Sequence, residues 1–453
     1  MDTLVNKIGK VIGKIAFSAT LLLPTLSLAA TYQGLWYELP QYFGEDKVPK
    51  YSGAMGTATT KHRPLAIYSD KHNKTFFTYG GLDPAKPSQM AIYVGCYNHS
   101  NKRLCSNPTL VTVKPNVLDQ HDNASILIDK DGYIWVYVSG RNTSRPGLVY
   151  KSRYQGSISV FDQVTSTPYP ALFAYPQPWL TETNGKVLLH TQYTNGRELY
   201  ITQNNTTTKM VKGGHYAISY TDGDRIVMAY NSHVNNHPDY RTNVYFMESF
   251  DGGRTWKNRF GDALPLPLEQ FDSRAALRDG YRNTGYFTYL KDIKINQNGE
   301  AVVLFTVSKT ADPTNFTHRR SLIKVIVHRD GRLSITTVGS ADVVHGRFEE
   351  NHNYSSAMID SLTGHVFATG YEAGYSMRDR AGGNIYRFWG NVMSGIQVTY
   401  DHMQHHNFLR DVYKKTPNSA SDFSMFWASG HPTDNTIPSQ LHYYGGSTVH
   451  TMH

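Results

Sequence analysis

A short unit recurs along this chain: a turn rich in Asp, Asn and Gly, followed by an apolar run of β-branched and aromatic residues. It reads DKDGYIWVYVSG from Asp129, TNGKVLLHTQY from Thr183 and DGDRIVMAYN from Asp222. It returns as NQNGEAVVLFTVS from Asn296, HRDGRLSITTV from His328 and LTGHVFATGY from Leu362. Glycine supplies the positive φ that such turns demand, and the run after it suits a pleated, half-buried surface. Helical periodicity is nearly absent, so the chain reads as all-β. Units of this kind at irregular spacing predict a single β-propeller with variable loops, and the chain length suits seven blades.

One repeat carries more than a turn. Ser249–Trp256 reads SFDGGRTW, which matches the Asp-box pattern S-x-D-x-G-x-T-W at every fixed position. In that hairpin the Asp caps turn amides, the Gly permits a left-handed residue and the Trp packs between blades.

The N-terminus has the layout of an export signal. Lys7, Lys10 and Lys14 precede an apolar stretch from Ile15 to Leu28, with small residues at Ser27 and Ala29. The apolar core is too short and too interrupted for a membrane anchor. The expected domains are therefore a signal peptide, 1–29, and a propeller, 30–453, secreted or periplasmic. The two cysteines, Cys96 and Cys105, are expected to pair in an oxidising compartment.

The chain carries +9, of which the signal segment supplies +2. Excess positive charge favours an acidic partner. No basic run or nucleic-acid motif is present, so an acidic polysaccharide is expected rather than nucleic acid or membrane, and the protein is expected to be a monomer. The 32 Tyr and six Trp provide rings on which sugars can lie, although aromatics are also ordinary strand residues.

Four segments gather titratable groups beside turns. KHRPLAIYS holds His62, and DQHDNASILIDKDGYIWVYVSGR holds His121, Asn123 and Arg141. AYPQPWL and LLHTQYTNGRELY hold Tyr175, Trp179, Tyr193 and Arg197, while GGHYAISY and NNHPDYRTNVYF hold His215, Tyr216, His233, His237 and Arg241. Equivalent strand ends of consecutive blades converge, so His121, Tyr175 and an arginine can meet on one face. That set suits β-elimination from a uronic acid. The arginine neutralises the carboxylate beside the C5 proton, while His and Tyr move protons. Taken singly, each is equally a loop or core residue: a hydrogen-bonded His, a packed Tyr, or an Arg paired with Glu198.

A further His-rich group comprises His352 in ENHNYSS, His406 in HMQHHNFLRD and His431 in FWASGHP. Brought together by neighbouring blades, such imidazoles could hold a structural zinc ion; otherwise they are polar blade contacts. The chemistry itself calls for no cofactor.

HDNASILIDKDGYIWVYVSGR, TSRPGLVYKS, AYPQPW, YTNGRELY, GGHYAISY, RTNVYFMESFDGGRTW, NHNYSS, HHNFLRD and FWASGH, in this order from about Gly34 to His431, resemble the successive signatures of the BNR-repeat propeller family. That family includes seven-bladed ulvan lyases. The resemblance implies His121 and Tyr175 as the acid/base pair. It departs at two points: a second histidine of some of these lyases falls on or beside Arg141, and the lyase arginine falls near Gln192 or Tyr193, with Arg197 a few residues on. A related branch cleaves rhamnosyl–glucuronate linkages hydrolytically on the opposite face, with a histidine that His62 matches. Some members hold a structural metal.

The reading is a secreted lyase for a uronate-containing, ulvan-like and sulfated polysaccharide. Its catalytic residues are His121, Tyr175, Arg141 and Arg197. His62, Asn123, Trp179, Tyr193, His215, Tyr216 and Arg241 are expected to bind substrate. The alternatives are a glycoside hydrolase on the same scaffold and a non-catalytic glycan-binding propeller.

Overall fold

The computed structural model describes residues 56–340 and 356–453, apart from 84, 106, 142, 167–170, 194–195, 215, 238–239, 279, 310, 312–319, 371–382, 390–394, 401–403 and 432–436. It also describes 32–34, 36–38, 42–43, 48–49 and 52–54. The expected signal peptide, 1–29, lies outside the described residues, as do His215 and His352.

The fold is all-β and propeller-like. Antiparallel up-and-down sheets follow one another along the chain, and Pro417–Asp422 is the one α-helix among the described residues. Each Asx turn works as its sequence requires. Asp129 Oδ1 accepts from the N–H groups of Asp131, Gly132 and Tyr133, and Gly132 takes φ 96°. In the SFDGGRTW hairpin, Asp251 Oδ1 accepts from Arg254 N and Thr255 N at 3.0 and 2.9 Å, Gly253 has φ 92°, and Trp256 is buried.

The first strands of successive sheets touch in a closed ring: Ala66–Ser69, Ala124–Ile128, Ala174–Thr181, Ala217–Asp222, Phe287–Ile295, Ala357–Ile359 and His405–Tyr413, which returns to Ala66–Ser69. The last contact is a parallel pairing, Val412 opposite Ala66, that fuses two sheets into one of ten strands. The N-terminal strand Gln33–Gly34 pairs with the C-terminal strand Ser439–Gly445, Gln33 opposite Gln440, and also with Lys74–Asp83. Joining the chain ends in this way removes an exposed sheet edge. The main apolar core runs through the sheets around this ring, with Trp179, Tyr230 and Trp256 among its largest members. Cys96 and Cys105 form a disulfide with Cα atoms 5.3 Å apart, which pins the end of Lys86–Asn98 to the loop beyond its outer hairpin.

In an antiparallel meander the start of the first strand, the end of the second and the start of the third lie on one edge. His62, His121, Tyr175 and Tyr216 precede or begin first strands, Arg141, Tyr193 and His233 follow or end second strands, and Arg241 begins a third. The topology therefore delivers these residues to the same face.

Candidate active site

Tyr175 is the hub. It begins Ala174–Thr181, at a register shift between Ala174 and Gln177, and takes φ 49°. A left-handed aromatic residue is costly and persists where its surroundings fix it. Ser139 Oγ accepts from Tyr175 N at 3.1 Å, which ties this strand start to the loop that carries Arg141. The ring of Tyr175 packs against His62 (5.5 Å between centroids), Tyr216 (5.7 Å), His121 (5.9 Å) and Tyr193 (6.4 Å). Its hydroxyl is buried beside the Tyr193 hydroxyl. Burial, with the neighbouring Tyr193 and Tyr216 oxygens, pushes its pKa well above the ordinary tyrosine value against the pull of Arg141, so it is a neutral phenol.

The two histidines beside it show opposite nitrogens. His121 sits in the short 3₁₀ turn Gln120–Asp122, capped by Asp119. Asp119 Oδ1 lies 2.5 Å from His121 Nδ1 and accepts from His121 N at 3.0 Å. With the proton on Nδ1, the lone pair is on Nε2. His62 is fully buried, and its Nδ1 accepts from Thr59 N at 3.2 Å. Its proton is then on Nε2, and the His121 backbone lies within hydrogen-bonding reach of the ring. Burial, then Arg410 and His121, drives the His62 pKa well below the ordinary value, so this ring is a neutral donor.

Asp119 is itself held. Arg145 Nη2 donates to its Oδ2 at 2.8 Å, and Arg145 and Lys114 both pair with buried Asp122. Burial raises the Asp119 pKa, and His121, Arg141 and Arg145 more than offset it, leaving it far below the usual carboxylate range. The arginine nearest the hub is Arg141. Its guanidinium lies 5.0 Å from the Tyr193 ring centroid, and Nη1 is buried with no partner among the described residues. Burial opposes its charge, but Tyr193, Tyr175 and Asp119 outweigh burial. Tyr193 is pushed up to about 12 by its burial.

Tyr216 is half-buried and rests on Arg241, whose guanidinium carbon is 3.9 Å from the ring centroid; His233 is edge-on to it at 5.2 Å. Arg197 is half-buried and acts electrostatically on Tyr193 and His233.

Two expected substrate residues have structural work instead. Trp179 lies further along the Tyr175 strand, buried against Tyr220 and Tyr413, with Nε1 donating to Ser219 Oγ at 2.8 Å. Asn123 is buried and donates to the carbonyls of Gly56 and Ala58, closing that loop on the ring. His62 packs against Tyr175 on one side and lines a narrow channel cavity with Trp179, Tyr220 and Asp292 on the other. The far mouth, at the opposite ends of the first strands, holds a cavity of about 540 Å³ lined by Lys130, Glu182, Asp222, Tyr220, Tyr413 and Lys414.

Of the expected zinc group, only His406 and His431 lie among the described residues. His406 is buried, and its Nδ1 accepts from Trp427 Nε1 at 2.9 Å. The adjacent His442 has its nitrogens on Ser429 and Thr451. His431 is half-buried just past the strand Met425–Gly430. Among the described residues no three His, Cys, Asp or Glu side chains gather to hold a metal.

Asp119 and Arg145 are site residues that no motif singles out. The Asp-x-His spacing before a strand is the available sign of the first. Nothing local marks Arg145, whose partners Asp119 and Asp122 lie in an earlier turn.

Comparison with known proteins follows the same lines. No curated protein sequence matches the chain. The fold is similar to that of a PL25 ulvan lyase solved with -[GlcA(1-4)Rha3S]- bound, at TM-score 0.64 and 15% identity over 92% of this chain and 97% of that one. It is also similar to the polysaccharide lyase Uly1, at TM-score 0.55 and 14% identity over 94% and 97%. The model of the BNR repeat-containing family matches residues 87–328, more than half of the chain. By that match, spanning the Asp-box hairpin and the sheets that carry Tyr175 and Arg141, the chain belongs to the BNR repeat-containing family.

Proposed function

We propose that this protein is a secreted polysaccharide lyase that cleaves a uronate-containing, ulvan-like polymer by β-elimination on a propeller of seven blades. The blade count takes the ten-stranded sheet as two blades fused at the Val412–Ala66 pairing. Secretion rests on the basic and apolar layout of residues 1–29. The observation that carries the function is the packing of a buried neutral tyrosine, Tyr175, between two histidines that present opposite nitrogens.

In the proposed reaction the Nε2 lone pair of His121 removes the C5 proton, and Asp119 stabilises the imidazolium that forms. The electron pair left at C5 forms the C4–C5 double bond as the C4–O bond breaks. Tyr175, a phenol at working pH, gives its proton to the departing oxygen. The C5 proton is weakly acidic while the carboxylate beside it is anionic, because the carbanion adds a second negative charge. Arg141, permanently charged and with Nη1 buried and unpartnered among the described residues, stabilises the doubly charged state more than the ground state. His62, as a neutral N–H donor, orients the Tyr175 ring.

The test is direct. Incubation with ulvan and other uronate polymers should release unsaturated ends absorbing in the ultraviolet, and His121→Ala should abolish that signal. Saturated products of hydrolysis would replace this reading with a hydrolase, and binding without cleavage would leave a glycan-binding propeller.

A further inference from the structure

The sheet formed by Phe287–Ile295, Ala301–Ser308, Arg320–Val327 and Leu333–Ser340 carries three polar side chains at the end opposite the groove. Glu300 precedes its second strand, His328 follows its third, and Ser334 is the second residue of its fourth. Ala301 stands opposite Val327 and Ile326 opposite Ser334, so Glu300, His328 and Ser334 share one face, side by side across the strands. Their contacts form a relay. His328 Nδ1 donates to Glu300 Oε1 at 2.7 Å, and Ser334 Oγ donates to His328 Nε2 at 2.6 Å.

Glu300 is held from behind, with Asn296 Nδ2 donating to its Oε2 at 3.0 Å. The hydrogen bonds from Asn296 and His328 keep its carboxyl below the usual carboxylate range. An ionised carboxylate fixes the His328 proton on Nδ1 and turns the Nε2 lone pair to the serine. Glu300 and His328 are partly shielded, and Ser334 is exposed.

Such a chain of bonds can merely tie turns together, but two further features suit catalysis. Leu333–Ser340 is the last strand of its sheet. The bond from His328 N to Arg332 O sets the alternation of the ladder, so Ser334 exchanges bonds with Ile326 and the Ile335 N–H points off the free edge beside the serine. An amide next to the nucleophile is a donor for an oxyanion. A cavity of about 260 Å³ also opens along the same face, lined by Val302, Lys324, Ile326, Ile359 and the turn 360–364. Ile326 is both its wall and the cross-strand neighbour of Ser334.

We propose that Ser334, His328 and Glu300 form a second catalytic site, a serine esterase for short acyl esters, separate from the groove around Tyr175. Ser334 Oγ adds to the ester carbonyl carbon as His328 Nε2 takes the hydroxyl proton, and the Ile335 N–H meets the oxyanion. The bond from that carbon to the alcohol oxygen breaks, and the alcohol leaves with the proton from Nε2. Water, deprotonated by Nε2, then adds to the acyl-serine; the acid departs and Ser334 regains its proton. The acyl chain lies toward Ile326 and Val302. None of this depends on the lyase reading.

The experiment treats the full chain with diisopropyl fluorophosphate and locates the adduct by mass spectrometry. Wild type should take one phosphoryl group on Ser334, and Ser334→Ala none there or elsewhere. His328→Ala and Glu300→Gln should each slow labelling by about 10²-fold or more. Melting curves show that the variants are folded, and Ser334→Ala, at an exposed position, guards against a folding failure in the other two. In steady state, wild type should hydrolyse 4-nitrophenyl butyrate with a kcat/KM about tenfold above the acetate, and Ser334→Ala neither ester above the buffer rate. No adduct on Ser334, or labelling equally fast in His328→Ala, overturns the proposal. Acetate preferred over butyrate removes the cavity from it.

Discussion

Asp119 grips His121 twice, once at the ring through Nδ1 (2.5 Å) and once at the backbone N–H (3.0 Å). The carboxylate therefore sets both the tautomer and the position of the imidazole. Asn at 119 can turn its amide toward Nδ1 and move the ring proton to Nε2, the wrong nitrogen for a base. Asp119→Asn should lower kcat by about 10²–10⁴-fold with little change in KM. Steady-state kinetics on a uronate polymer would check this, and a variant within about threefold of wild type would remove Asp119 from the mechanism.

Tyr175→Phe separates activity from stability. The buried hydroxyl has only the Tyr193 hydroxyl beside it, so its removal changes stability by no more than about 1 kcal/mol. Turnover should fall by about 10²-fold or more while Tm changes little. A variant that loses both would mean that Tyr175 is a packing residue.

Arg141→Lys keeps the charge and loses the planar fork that matches a carboxylate. We expect kcat/KM to drop by about 10²-fold or more, and Arg197→Lys to cost much less in the same assay. The reverse order would move carboxylate neutralisation to Arg197.

Much of the fold follows from local sequence. The Asx turns at Asp129, Asp251 and Asn296 follow local chemistry, with an acceptor side chain over two or three amides of the turn. The ring itself depends on pairings between residues hundreds of positions apart, such as Val412 with Ala66, and no local pattern encodes them. The site divides in the same way. His121 and Tyr175 stand at equivalent strand ends of adjacent sheets, so their approach follows from counting units. Asn123 and Trp179 look alike in sequence to ligand-binding residues. Their burial is decided by the loop 56–58 and by Tyr413, which arrive from elsewhere in the chain.

The disulfide should be local in effect. Cys96 and Cys105 close a loop with a sequence separation of 9, so Cys96→Ser with Cys105→Ser should cost no more than about 2–3 kcal/mol. Denaturant melts would measure this, and kcat should stay within about twofold of wild type, since the bridge ties an outer hairpin. A large loss of activity would show that this hairpin supports the groove.

The buried histidines predict sensitivity to acid. His406 is pulled down to about 3 by burial, with His442 and His405 adding to the effect, while an unfolded histidine titrates near 6.5. Between these values the unfolded chain binds a proton at this site and the native protein does not. Stability therefore rises with pH across that window and is lost as pH falls from about 6.5 toward 3. His190, held at about 3 by the same burial, acts with the same sign, so one substitution removes only a share of the effect. Gln at 406 can still accept from Trp427 Nε1 and does not titrate. His406→Gln should thus narrow the Tm difference between pH 7 and pH 4.5 by about 2–4 °C relative to wild type. Parallel melting curves against pH for the two proteins would show that His406 is not kept neutral by the fold.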